Sequence, residues 1–70
     1  MSARKWFDEL YVEFYPQLLK AALRLTEASH LAEDLAQHAF TVLYEKREEL
    51  IFHPNIQGWL IVTLRNRYNS

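Results

Sequence analysis

The 70-residue chain has no cysteine, so no disulfide can hold it together and a secreted, stapled miniprotein is excluded. Its single glycine, Gly58, rules out the glycine-rich loops that cradle phosphates, and with only two prolines there are few places to turn sharply. No apolar run approaches the roughly 18 residues a membrane helix needs, and residues 1–5 are not followed by the apolar stretch of a signal peptide. A cytoplasmic location is therefore expected. An excess of one charge is missing as well: eight Lys plus Arg stand against nine Asp plus Glu, a net charge of −1. That balance disfavours a wholly basic nucleic-acid binder and a ligand of anionic membranes. Apolar side chains are abundant, with 50% hydrophobic and 14% aromatic residues, which argues for a packed core in one small domain.

The apolar positions keep helical period. Phe7, Leu10, Tyr11, Phe14, Leu18, Ala21, Ala22 and Leu25 recur at three and four residues and predict a helix over about 5–26. Pro16 falls inside it, so the expected element is kinked but continuous. After a short polar link, Ser29 is positioned to cap a second helix over 30–50. Its stripe runs through Leu31, Leu35, Ala39, Val42, Leu43, the stem of Lys46, and Leu50, with Phe40 and Tyr44 beside it and turned partly outward. Pro54 interrupts the pattern and Asn55 offers an N-cap, and Ile56, Trp59, Leu60, Thr63 and Leu64 then mark a third helix over 55–69. The expected fold is all-α, a small bundle of three main helices. The third helix meets no glycine cap or other terminator, which suggests one domain of a longer protein.

Charge is distributed unevenly. Residues 1–50 hold six Lys or Arg and all nine acids, a balance of −3, whereas residues 51–70 hold Arg65 and Arg67 and no acid, a balance of +2. The same final segment carries Trp59, Tyr68, Asn55, Asn66 and Asn69, a mixture suited to phosphate contacts, base stacking and base-edge hydrogen bonds. A solvated face over a core of Trp59 and Leu60 accounts equally for that composition. Asp34, Gln37, His38 and Thr41, ending at Tyr44, form a polar ridge along the second helix. With aromatic anchors beside it, the ridge suits either solvent or a partner helix. Asp34 with His38, or Glu27 with His30, has metal-ligand spacing, but no second set of carboxylates accompanies either pair. The few hydroxyls lack a strand-to-helix elbow or an oxyanion loop, so an enzyme is not expected, nor is a cofactor.

Four ordered blocks carry a family resemblance. They are Phe7-Asp8-Glu9-Leu10-Tyr11 continuing to Tyr15-Pro16-Gln17-Leu18-Leu19; Ala32-Glu33-Asp34-Leu35-Ala36-Gln37 with Phe40; Gly58-Trp59-Leu60; and Arg65-Asn66. Together they resemble region 2 of bacterial RNA polymerase sigma factors of the sigma-70 family, most nearly the extracytoplasmic-function group. The likeness runs from about Phe7 to Asn69.

The resemblance implies a binding module with two contacts in transcription initiation. The second helix would dock on the clamp-helix coiled coil of the polymerase largest subunit through Asp34, Gln37, His38, Thr41 and Tyr44, with Phe40 among the docking residues. The loop before the third helix and that helix itself would bind the minus-ten promoter element, one non-template base being flipped into a pocket. The matching positions are Phe52, Trp59, Arg65 and Asn66, with Arg67 on phosphate. An anti-sigma factor is a further partner of such domains. Three departures stand out: His38 replaces a common Glu, Leu60 follows Trp59 where primary sigma factors have a second tryptophan, and the loop 51–55 is short and hydrophobic. Nothing resembles region 4, the helix-turn-helix domain. The competing readings are a helical protein-interaction module without nucleic-acid binding and, further off, a small metal-binding bundle.

Overall fold

The computed structural model describes residues 2–70 and is all-helical. It contains α1 (Ala3–Leu25), α2 (Ser29–Glu45), the single turn α3 (Arg47–Leu50) and α4 (Ile56–Asn69). The expected three-helix bundle is present, with its middle helix divided.

Each boundary has a local cause. Ser2 caps α1, its hydroxyl accepting from the Lys5 amide at 3.2 Å, so the helix begins slightly earlier than periodicity suggested. α1 then passes through Pro16 without interruption. The ring removes a donor to the Val12 carbonyl, and the surrounding positions are exposed, so water can satisfy that oxygen. Between α1 and α2 the Thr26 hydroxyl accepts from the Ala28 amide at 3.3 Å, closing a short turn. The cap position of α2 is Ala28, which has no side-chain acceptor; Ser29 is already helical and is not the cap. At Lys46 the backbone opens to φ −104° and ψ 20°, ending α2, and α3 resumes with Leu50 buried against the bundle. Asn55 caps α4 as expected, its Oδ1 accepting from the Gly58 amide at 3.0 Å.

The core is centred on α2, which supplies Ala32, Leu35, Ala36, Ala39, Phe40 and Leu43; Leu18 and Ala22 come from α1, Leu50 from α3, and Leu60 and Leu64 from α4. The three alanines let α1 and α4 approach α2 closely. Leu35, Ala39, Leu43 and Leu50 of the predicted stripe are buried, and the stripe as a whole is turned by about 50°, half a residue, toward Ala32, Ala36 and Phe40. Phe40, expected to face partly outward, is only 1% exposed, because it fills the space against Phe7, Tyr11 and Tyr15 of α1. Leu31 and Lys46, expected on the inward stripe, are exposed instead. Gln57 donates to Gln17, fastening the start of α4 to the middle of α1. No helix among the described residues is long and apolar enough to cross a membrane.

Candidate functional site

Aromatic residues four apart on α1 meet aromatic residues four apart on α2. Phe7 stands edge-on to Tyr44, centroids 5.1 Å apart and planes at 75°, and Tyr11 lies 4.8 Å from Phe40 and stacks on Tyr15 at 5.0 Å. The two helices leave a groove of about 450 Å3 beside this cluster. Phe7 and Tyr11 line it from α1, Gln37, Thr41, Tyr44 and Glu45 line it from α2, and Phe40 lies beneath. The groove is thus aromatic with a polar rim, and its one charged lining residue is the acid Glu45.

Of the predicted docking residues, Gln37, Thr41 and Tyr44 come together in this groove. Phe40 contributes from the core rather than as a free surface anchor. Asp34 is exposed and His38 half-buried on the same helix, neither of them lining the groove. The Thr41 hydroxyl donates to the Gln37 carbonyl at 3.0 Å, which leaves its lone pairs as acceptors. Burial pushes the Tyr11 hydroxyl above its ordinary pKa, and the neighbouring Tyr15 adds to the rise, so Tyr11 stays a neutral donor at physiological pH. Periodicity overlooked Phe7, Tyr11 and Glu45 as groove residues; the matching four-residue spacing of Phe7–Tyr11 and Phe40–Tyr44 was the signal that could have found them.

Just past the groove, at the break between α2 and α3, Arg47 folds back over Tyr44. Its Nη1 donates to the Tyr44 carbonyl at 2.8 Å, and its guanidinium carbon lies 4.2 Å from the centre of the Tyr44 ring.

The second surface begins in the loop before α4. The His53 amide donates to the Leu50 carbonyl at 2.9 Å and the Asn55 amide to His53 Nδ1 at 3.0 Å, so the loop is a set of tight turns. Phe52 at its tip is 89% exposed. On α4, Trp59 is half-buried against the core, and Arg65, Asn66 and Arg67 are exposed. At about 100° per residue, Trp59, Val62 and Asn66 share one stripe and Arg65 lies beside it. Arg67, two residues beyond Arg65, falls about 200° further round and so flanks the same stripe on its other side, each arginine about 100° from it. Val62, 54% exposed between Trp59 and Asn66, is a member of the face that composition did not single out. The ion pair of Arg4 with Asp8, at 3.9 Å, is the only one among the described residues, which leaves Arg65 and Arg67 without a carboxylate partner. No group of three His, Asp or Glu residues converges among the described residues in a way that could hold a metal.

A family model described as Sigma-70 region 2 matches residues 10–69, almost the whole chain. No curated protein and no solved structure matches the chain significantly.

Proposed function

The chain belongs to the sigma-70 region 2 family, and from that premise we propose that the α1–α2 groove is its polymerase-docking surface and the outer face of α4 its promoter surface. Domains of this family act in transcription initiation, binding core RNA polymerase and promoter DNA. The proposed assignment to the extracytoplasmic-function group is finer, and so is each residue role.

The observation that carries the docking half is the groove itself, where Gln37, Thr41 and Tyr44 meet the aromatic wall of α1. A partner helix that lays apolar side chains along Phe7 and Tyr44 while pairing polar groups with Gln37 and Thr41 would bury an aromatic centre inside a polar rim, the arrangement that concentrates binding energy. Asp34, outside the groove, serves as a rim charge. We assign the clamp-helix coiled coil of the polymerase largest subunit as this partner.

The promoter half rests on the acid-free face of α4. A base lifted out of the duplex loses a few kcal/mol of stacking, which a captor recovers through an aromatic surface and hydrogen bonds to the base edge. Phe52 offers a solvated ring, worth about 1–3 kcal/mol per stacked base. The Asn66 amide can donate to and accept from a base edge, and Arg65 is placed for phosphate.

The test uses two ligands. Asp34→Ala and Gln37→Ala should each weaken binding to a purified clamp-helix fragment while leaving binding to a single-stranded minus-ten oligonucleotide unchanged; Asn66→Ala should do the reverse. Wild-type affinity of Asn66→Ala for the oligonucleotide would remove the promoter assignment. If both α2 variants bind the fragment normally, the docking assignment is wrong.

A further inference from the structure

Resting on the docking reading above, we infer that Arg47 is a positioning residue for that surface: it acts through Tyr44, holding the ring in place at the mouth of the groove, and does not itself touch the partner.

Three observations converge on it. Tyr44 is 41% exposed, so packing alone leaves its ring free on one side, the Phe7 edge supporting the other. Arg47 supplies a support of its own, with its flat guanidinium 4.2 Å from the ring centre. The same side chain is fixed by its hydrogen bond to the Tyr44 carbonyl at 2.8 Å, so ring and backbone of one residue are both held by one guanidinium. The local fold explains why that carbonyl is available. Because the chain opens at Lys46, the amides of Glu49 and Leu50 turn to the Lys46 carbonyl, and the Lys46 amide is shared between the Val42 and Tyr44 carbonyls, so the Tyr44 oxygen keeps acceptor capacity for a side chain. A basic residue three positions on, at a helix C-terminus, is suited to take up that capacity.

The geometry calls for arginine rather than for any cation. Stacking on a ring and donating to a carbonyl at the same time needs a planar group with several donors in a fixed fork; a lysine ammonium can do one or the other. Arg47 does not line the groove, which separates it from a residue that meets the partner directly. An ordered aromatic ring at the centre of an interface spares the entropy of immobilising it on binding, so losing the brace should appear as lost affinity.

The experiment is a double-mutant cycle on the full 70-residue chain, titrated with the clamp-helix fragment. Arg47→Ala should weaken binding about twofold to fivefold, the range expected of an exposed cation–π contact. Tyr44→Ala should weaken it at least as much, and in the Tyr44→Ala background the Arg47→Ala change should cost nothing more. Arg47→Lys should recover little of the loss, and nuclear Overhauser contacts between the Phe7 and Tyr44 rings should fade in both Arg47 variants. A loss that persists in the Tyr44→Ala background would make Arg47 a direct contact and overturn the inference, as would full rescue by lysine or an Arg47→Ala variant that binds normally. If Tyr44→Ala itself binds normally, the docking reading falls and this inference with it; if only the Arg47 effect is absent, the docking reading stands alone.

Discussion

Phe40 tests whether the aromatic cluster is core or contact surface, and Phe40→Ala is the decisive perturbation. The side chain is 1% exposed and faces three α1 rings, with centroids at 4.8 Å to Tyr11, 6.2 Å to Tyr15 and 6.3 Å to Phe7. Truncating a buried phenylalanine to alanine costs about 3–5 kcal/mol through lost transfer energy and the cavity left behind. Each aromatic pair is worth about 0.5–1.5 kcal/mol beyond area, so the upper half of that range applies. At about 0.05–0.15 kcal/mol per residue, a 70-residue domain has a total stability near 3.5–10 kcal/mol. Phe40→Ala should therefore consume about half or more of it. Urea unfolding followed by circular dichroism at 222 nm reads the loss directly, with Phe40→Leu, expected at about 1–1.5 kcal/mol, as the variant that stays folded. In thermal melts the leucine variant should fall by about 4–8 °C per kcal/mol. A loss below about 1 kcal/mol for Phe40→Ala would mean the ring is a surface group after all, and the buried stripe of α2 would have to be redrawn.

The α4 cap gives a second test. A Cβ at Gly58 would sit 3.0 Å from Asn55 Cγ, so Gly58→Ala should gain up to about 1 kcal/mol of helix propensity and lose about as much through the displaced cap. It should be near neutral in the native background and stabilising beside Asn55→Ala; equal urea midpoint shifts in both backgrounds refute the conflict. Tyr11 gives a third. Its folded pKa lies above the ordinary 10.0, so the stability it contributes is complete below that pH and is lost as pH rises past about 10. Urea midpoints taken across that range should decline less steeply in Tyr11→Phe than in the native chain; identical declines would refute the assignment. The last concerns salt. With Arg65 and Arg67 flanking the Trp59–Asn66 stripe, the logarithmic salt slope for single-stranded minus-ten DNA should be about −1.4 and fall to about −0.7 in either Arg65→Ala or Arg67→Ala, whereas a slope near −0.7 that only one of the two variants removes would leave a single arginine on phosphate.

Large apolar residues with a clean period made the helices legible, and side-chain oxygens at Asn55 and a proline at position 54 marked where α4 starts. Alanines were the weak point. Ala32, Ala36 and Ala39 are fully buried because they are small enough for α1 and α4 to approach, yet smallness gives them little weight in a hydrophobic pattern. Leu31 outweighed Ala32, the predicted stripe turned by about 50°, and Phe40 was left outside it. The break at Lys46 was hidden for a different reason: it depends on the burial of Leu50 against the bundle, a tertiary contact, and not on a local breaker. Similar limits apply to the two surfaces. Gln37, Thr41 and Tyr44 follow from helical spacing, but a groove needs two walls, and Phe7 and Tyr11 lie some thirty residues away in the chain. Arg65 and Arg67 read as one basic pair in composition; the helix separates them.

That separation bears on how a chain of net charge −1 could hold a promoter. Two arginines, one on each flank of the stacking face, supply little of the sequence-independent attraction that drives most DNA binding, so on the proposed reading the domain alone should bind DNA weakly. Specificity would then come from contacts that do not depend on net charge: a ring exposed at the tip of a tightly turned loop, a half-buried tryptophan, and an amide on the same stripe. Affinity would come from elsewhere. A domain docked through the α1–α2 groove is held beside DNA by its partner, and tethering of that kind raises the effective concentration of the promoter to about millimolar without any new contact. The acids of α2 and α3, unwelcome on a DNA surface, cost nothing there when they lie along the helix that faces protein. The uneven distribution of charge, −3 over residues 1–50 and +2 over residues 51–70, is then a division of labour between two surfaces. On that reading, polymerase docking would be a precondition of promoter binding at physiological salt.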